Sequence, residues 1–201
     1  MPTVIVATGN PGKLREMQVY LDTLGWQLQL KPEDLDIEET GTTFLENARL
    51  KAAGVAKALG QWAIADDSGL AVNALGGAPG IYSARYADSD PARIERLLKE
   101  LGGKADGKEP DLQGDRTAQF ICALALANPA GEIILETEGI CSGEILYSPR
   151  GTGGFGYDPI FYVPALDKSF AEMSAEQKDA NSHRGIAFSQ LLPAMAKLAL
   201  E

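Results

Sequence analysis

An α/β fold, with a mixed, twisted sheet flanked by helices, is what the sequence predicts, and three observations predict it. A β-branched apolar strand near the start runs straight into a segment of helical periodicity. Further segments with helix-start signals follow it. Beyond them, two alternating apolar runs meet at a short turn, the pattern of an antiparallel hairpin.

Val4, Ile5 and Val6 form the first strand, and Leu14, Met17, Leu21 and Leu24 recur at helical spacing. The turn between them runs from Thr8 to Gly12. Pro11 suits the first helical position, where its missing N–H costs nothing, and Gly9 and Gly12 let a ligand approach the backbone. Free amides at a helix start with Lys13 beside them make an anion site, although an ordinary connection with a surface lysine has the same composition. Only two residues separate Gly9 from Gly12, and no Ser or Thr follows Lys13, so this is not a Walker A loop.

"WQLQL" reads as a second strand. Thr43 followed by Glu46 fits a capping box, and Leu45, Ala48, Ala52, Val55, Ala56 and Leu59 share one face of the helix it starts. "WAIAD" and "LAVNAL" are expected as short strands on either side of "DDSG". "GGAPGIYSARYADSD" reads as loop, and Pro91 begins a helix through "PARIERLLKEL". The polar, glycine-rich stretch from Gly102 to Asp115 is expected to be a mobile connection. "TAQFICALALANPAGEIILETEGICSGEI" supplies the hairpin, turning at "NPAG". "SPRGTGGFGYDPIFYV" is a glycine-rich loop entering another strand. Ser174 with Gln177 offers a second capping box, and Gly185 to Leu200 is amphipathic, with Pro193 placed to kink or divide it.

A chain of 201 residues that is 45% hydrophobic can bury one substantial core or two small lobes, and a single domain over residues 1–201 is expected. The absence of a signal-peptide pattern and of any apolar run near the roughly 20 residues that span a bilayer predicts a soluble, cytoplasmic protein with no membrane partner. Both cysteines, Cys122 and Cys141, lie in apolar alternating stretches and read as inert buried thiols. A formal net charge of -10 argues against nucleic acid as a partner. A small anionic ligand then needs local cations or a metal ion to overcome the global field.

Asp66 and Asp67 are adjacent where a strand is expected to end, so their side chains point to opposite faces. One can enter a cleft while the other anchors the turn. Capping that turn, or pairing with a surface lysine, are the structural uses such a pair also has. Glu39 and Glu46 precede it. If these carboxylates share a pocket with phosphates, each close pair of like charges costs about 4 kcal/mol at 4 Å with an effective dielectric near 20. Oxygen ligands with few histidines favour Mg²⁺, which is bound by one or two carboxylates plus substrate phosphates. A carboxylate beside it can orient and deprotonate a water for in-line attack on phosphorus. That combination is a phosphoanhydride hydrolase.

Phe155 and Tyr157 in a glycine setting can stack on a planar base, and Lys178, the single histidine His183, and Arg184 carry donors that suit a nucleobase carbonyl or phosphate oxygens. "ATGNPGKLREM", "ETGTTFLENARLKA", "ADDSGLAVNALGGAPGIYSARYA", "GTGGFGYDPIF" and "SHRGIAF" together resemble the inosine triphosphate pyrophosphatase family, the non-canonical purine nucleoside triphosphatases. These five ordered blocks run from the first strand to the last helix; the stretch from about Asp88 to Arg116 carries no family signal.

The resemblance implies hydrolysis of ITP, dITP, XTP or dXTP to the monophosphate and pyrophosphate with Mg²⁺, in a homodimeric α/β protein with two lobes around a central cleft. Thr8, Gly9, Asn10 and Lys13 would hold the triphosphate, with Pro11 and Gly12 shaping the turn. Asp67 would be proton acceptor and metal ligand, and Glu39 the second metal-linked carboxylate, with Glu46 its competitor. Ser68 would touch substrate, Phe155, Gly156, Tyr157 and Asp158 would line the base pocket, and Lys178, His183 and Arg184 would read the base. Hypoxanthine and xanthine present a carbonyl where adenine presents an amine, so donors buried against that position would reject ATP by roughly 10⁴ to 10⁵. A nucleotide-binding sensor without chemistry, or a pyrophosphohydrolase of another modified triphosphate, are the alternatives. Metal-dependent pyrophosphate release separates the first from an enzyme, and competition with pyrimidine triphosphates the second.

Overall fold

Thr3–Val6 form β1, followed by α1 (Pro11–Leu21), β2 (Gln27–Leu30), α2 (Phe44–Leu59), β3 (Trp62–Val72) and α3 (Asp90–Glu100). β4 (Thr117–Ala127), β5 (Ile133–Ile145), β6 (Phe161–Val163), β7 (Lys168–Ser169), α4 (Ala175–Asn181) and α5 (His183–Met195) complete the order. The computed structural model describes residues 3–102 and 114–198. The connection expected between Gly102 and Asp115 therefore lies, but for its ends, outside the described residues.

Among the described residues the sheet has seven strands in the order β2-β1-β3-β4-β5-β6-β7. β1 runs parallel to β2 and β3, whereas β6 is antiparallel to β5 and β7, so the sheet is mixed as expected. The chain groups into two compact units. The first takes the residues up to Ser68, Cys122–Gly139 and the segment from His183 on; the second takes Gly69–Ile121 and Ile140–Ser182.

The first unit is built on apolar periodicity. Val4 and Val6 of β1, Met17 and Leu21 of α1, Ile64 of β3, Leu124 and Leu126 of β4, and Phe188, Leu191 and Met195 of α5 make one buried cluster. Tyr20 stacks on Phe188 with ring centroids 4.6 Å apart. α5 continues as one helix to Met195, because Pro193 falls in its last turn and does not divide it. The second unit has an aromatic centre, in which Phe161 lies 4.7 Å from Phe120 and 4.8 Å from Phe170.

One expectation fails here. "WAIAD" and "LAVNAL" are not separate strands, since β3 is continuous over Trp62–Val72 and Asp66 and Asp67 sit inside it. β3 lies between β1 and β4 in the sheet, and the two carboxylates find side-chain partners in place of a turn. The alternation of faces survives, and it decides what each carboxylate meets.

Strand order also locates a crevice. From β1 the chain passes through α1 to β2 on one side, then through α2 to β3 on the other, so the strand order reverses at β1. Ligands in open α/β sheets bind outside the carboxyl ends of the strands at such a reversal. The register Val6↔Ile64 brings the residues just beyond β1, starting at Thr8, level with Asp66.

Candidate active site

Asn10 opens α1 from an extended backbone, φ −93° and ψ 112°, and its Oδ1 accepts hydrogen bonds from the amides of Gly12 (2.8 Å) and Lys13 (3.3 Å). Thr8 Oγ1 accepts from the Asn10 amide at 3.1 Å, and the Leu14 amide donates to the Asn10 carbonyl at 3.1 Å. Pro11 takes the first helical position as expected. The helix start is nonetheless not a set of free amides: Pro11 has none, and the next three are satisfied within the turn. An anion here depends on the Lys13 side chain, on the positive end of α1, and on exposed Gly9, where a Cβ would meet nothing within 4 Å.

Asp66 is the hub of the first unit. Its Oδ1 is 2.6 Å from Lys13 Nζ and accepts from Ser68 Oγ at 2.8 Å. Its Oδ2 accepts from Arg184 Nε at 2.8 Å and from the Cys122 thiol at 3.1 Å. Burial alone would raise this carboxyl, but the Arg184 and Lys13 charges outweigh it and hold it well below the ordinary carboxylate range. Cys122 is correspondingly pushed well above an ordinary thiol by burial and by the Asp66 charge, so it acts as a neutral donor. Arg184 also donates to Ser68 Oγ at 3.0 Å and to Glu16. Expected to read a base, Arg184 is only 1% exposed and spends Nε, NH1 and NH2 on tying α1, β3 and α5 together. Its neighbour His183 is likewise buried. Gly139 of β5 makes this possible, since a Cβ there would stand 2.2 Å from the His183 carbonyl oxygen.

Asp67 faces the other way, toward α2. Lys51 Nζ donates to Asp67 Oδ1 at 2.8 Å and to the Asp66 carbonyl at 3.0 Å, and lies 2.8 Å from Glu39 Oε1. Lys51 is a residue the sequence reading missed. It follows Asn47 by four positions and Ala48 by three, on the face that α2 buries, and a lysine on a buried helical face is the signal that finds it. Glu46, the competitor of Glu39, is occupied elsewhere: its Oε2 accepts from Thr42 N, Thr42 Oγ1 and Thr43 N as the partner in the capping box. Burial raises the Asp67 carboxyl above its ordinary value, and the charges of Lys51 and Lys13 only partly restrain it. Lys13, whose ammonium pairs with Asp66, contributes to that restraint only through its charge.

Asp67 Oδ2 is buried with no hydrogen-bond partner. An orphaned carboxylate oxygen is costly unless something charged or water-like comes to it. Among the described residues no group of three or more His, Cys, Asp or Glu could hold a metal by itself. A pair, Asp67 and Glu39, drawn together by Lys51, fits a hard cation that takes its remaining ligands from phosphate and water.

The second unit holds the other expected residues. Asp158 Oδ2 lies 2.6 Å from Lys178 Nζ, both residues being buried, and also accepts from the Phe155 amide at 2.8 Å. Lys178 Nζ stands 4.9 Å from the centre of the Phe155 ring, within cation–π range. Gly154, at φ 73°, has no room for a side chain, because a Cβ would come 1.9 Å from Asp158 Oδ2. The two aromatics differ in kind. Tyr157 is buried and its hydroxyl donates to the Ser83 carbonyl at 3.0 Å, which makes it an anchor and leaves Phe155 as the candidate stacking ring. Of the expected base-reading trio, Lys178 belongs to the second unit while His183 and Arg184 belong to the first.

The chain is similar to known proteins over nearly its whole length. A protein named dITP/XTP pyrophosphatase from Nostoc sp. is 60% identical over 195 residues, 97% of this chain and 95% of its own. One of the same name from Synechocystis sp. is 60% identical over 192 residues, 96% and 94% of the two chains. Among solved structures, a HAM1 protein from Coxiella burnetii superposes with TM-score 0.85 at 41% identity, covering 98% of this chain and 100% of that one. The Staphylococcus aureus Ham1 protein does so with TM-score 0.82 at 45% identity, covering 96% and 97%. No helix among the described residues is long and apolar enough to cross a membrane. The Ham1 family profile matches residues 4–194, a span that takes in the Thr8 to Lys13 turn, both aspartates and the Lys178 to Arg184 segment, and the chain belongs to that family.

Proposed function

We propose that this chain hydrolyses dITP, XTP and the related ITP and dXTP to the nucleoside monophosphate and pyrophosphate. The observation that carries the proposal is Asp67: one oxygen is held by Lys51, and the other is buried without a partner, within the field of Lys13 and on a chain 60% identical to dITP/XTP pyrophosphatases.

In this mechanism Lys13 and the Thr8 to Gly12 turn receive the triphosphate, and Asp67 takes the proton of a water molecule whose oxygen attacks the α-phosphorus. The new P–O bond forms as the bond from the α-phosphorus to the bridging oxygen breaks, and pyrophosphate carries the electron pair away. Its burial-raised carboxyl makes Asp67 a stronger base than an exposed aspartate. Lys51 keeps that carboxylate oriented and, with Lys13, offsets the accumulating negative charge. Asp67 and Glu39 would hold Mg²⁺, which when bound neutralises phosphate charge and polarises the phosphoryl oxygens. Phe155, Gly156, Asp158 and Lys178 are proposed to receive the base, with Asp158 and Lys178 its polar partners. Homodimeric assembly, implied by the family resemblance, belongs to the same proposal, as does a cytoplasmic setting.

Pyrophosphate release from ITP, dITP, XTP and the canonical triphosphates, measured with a magnesium titration and again with EDTA, tests the activity. Release confined to the non-canonical purines and abolished by EDTA is expected; nucleotide binding without metal-dependent release would leave a sensor instead. Lys13→Ala is expected to weaken triphosphate binding by roughly tenfold or more, as loss of a charge-assisted contact does, while nucleoside binding is unchanged. Equal losses in calorimetric titrations with ITP and inosine would count against the turn as the phosphate site.

A further inference from the structure

Phe155 stands between two glycines with left-handed backbones, Gly154 at φ 73° and Gly156 at φ 61°. Such a segment costs more backbone entropy to order than any other, so its conformation needs external restraint. Two consecutive amides supply it. The Phe155 amide donates to Asp158 Oδ2, and the Gly156 amide donates at 2.8 Å to Asp90 Oδ2, a carboxylate in the first turn of α3.

Asp90 is itself oriented. Its Oδ1 lies 2.6 Å from Arg93 NH1, and Arg93 Nε donates to the Ala87 carbonyl at 3.0 Å. Ser89 Oγ caps the helix at the Ala92 amide. Asp90 is therefore not needed as the cap, and its second oxygen is left to the loop 66 residues away in sequence. One residue on, Tyr157 is tied to Ser83 on the turn that leads toward α3. The ring of Phe155 thus projects from a backbone gripped on both sides by carboxylates, one buried and one on the surface.

We propose that Asp90 is a positioning residue for purine recognition: through the Gly156 amide it sets the angle at which Phe155 is presented to the base. The proposal rests on the base-binding role given above to Phe155. Asp90 touches no part of the nucleotide, and acts on affinity for the base while leaving the phosphate end and the chemical step alone.

Steady-state kinetics of Asp90→Ala, Asp90→Asn and Phe155→Ala with ITP test it, together with inhibition by inorganic triphosphate, which has no base. D90A is expected to raise KM for ITP on the order of tenfold, the effect of losing one charge-assisted hydrogen bond, with kcat within about twofold. The inhibition constant of inorganic triphosphate should not move. D90N keeps an acceptor oxygen and is expected to recover most of the loss. A general structural defect predicts something else, namely parallel losses for ITP and inorganic triphosphate with no rescue by Asn, and that result overturns the proposal. If F155A raises KM while D90A matches wild type, the latch alone is wrong. If both match wild type, the base-binding role of Phe155 falls and the latch falls with it.

Discussion

Asp67→Asn is expected to lower pyrophosphate release from ITP by roughly 10² to 10⁴-fold, the range that a positioned general base contributes. The carboxamide can still accept from Lys51, so nucleotide affinity should change by less than about threefold in calorimetric titration. Turnover within a few-fold of wild type would remove Asp67 from the proposed role. The pH dependence carries the same information with a definite sign. Burial raises the Asp67 carboxyl, so the competent carboxylate is populated as pH climbs through a value above the ordinary one, and the acid limb of the kcat/KM profile follows it. Lys51 opposes that rise by its charge and hydrogen bond. Lys51→Met should therefore move the acid limb to higher pH, and a limb that stays put would mean that another group controls it.

Asp66→Ala is expected to cost about 3–5 kcal/mol in urea unfolding, the loss seen when one partner of a buried ion pair is removed and the other is left uncompensated. The carboxylate is 1% exposed and is partnered by Lys13, Arg184, Ser68 and Cys122. After its removal Arg184 keeps Glu16 as counter-ion, while Lys13 is left without Asp66 and the Cys122 thiol without its acceptor. A loss below about 1 kcal/mol would show that the cluster relaxes freely and is not the unit's polar anchor. Acid should erase the advantage in a definite window. The folded carboxyl lies well below the ordinary range, so its contribution is complete above the unfolded value of about 3.9 and is lost as pH falls through the depressed one. The stability gap between wild type and D66N should accordingly narrow below about pH 4.

Local chemistry alone determined a good part of this protein. Asn10 with Pro11 starts α1, Thr43 with Glu46 starts α2 and Ser174 with Gln177 starts α4, each as the residues demand, because a capping interaction spans at most four positions and is complete within its own segment. The motifs around Thr8, Asp67, Phe155 and His183 pointed to the family for a related reason, since each is a short run whose spacing is visible in one dimension.

What the tertiary structure decided are the partners. Whether Asp66 or Asp67 anchors the strand depends on which face of β3 meets Arg184, a residue 118 positions away, and no local pattern encodes that distance. The same holds for Lys51, which became part of the site only when α2 packed so that its ammonium met Glu39 and Asp67 together. Arg184, with donors suited to a base, is also held in a buried ion cluster with Asp66 and Glu16, because an unpaired guanidinium at 1% exposure would be costly. Sequence specifies which groups can bond over a few residues; only the packed chain specifies which distant charges must neutralise one another.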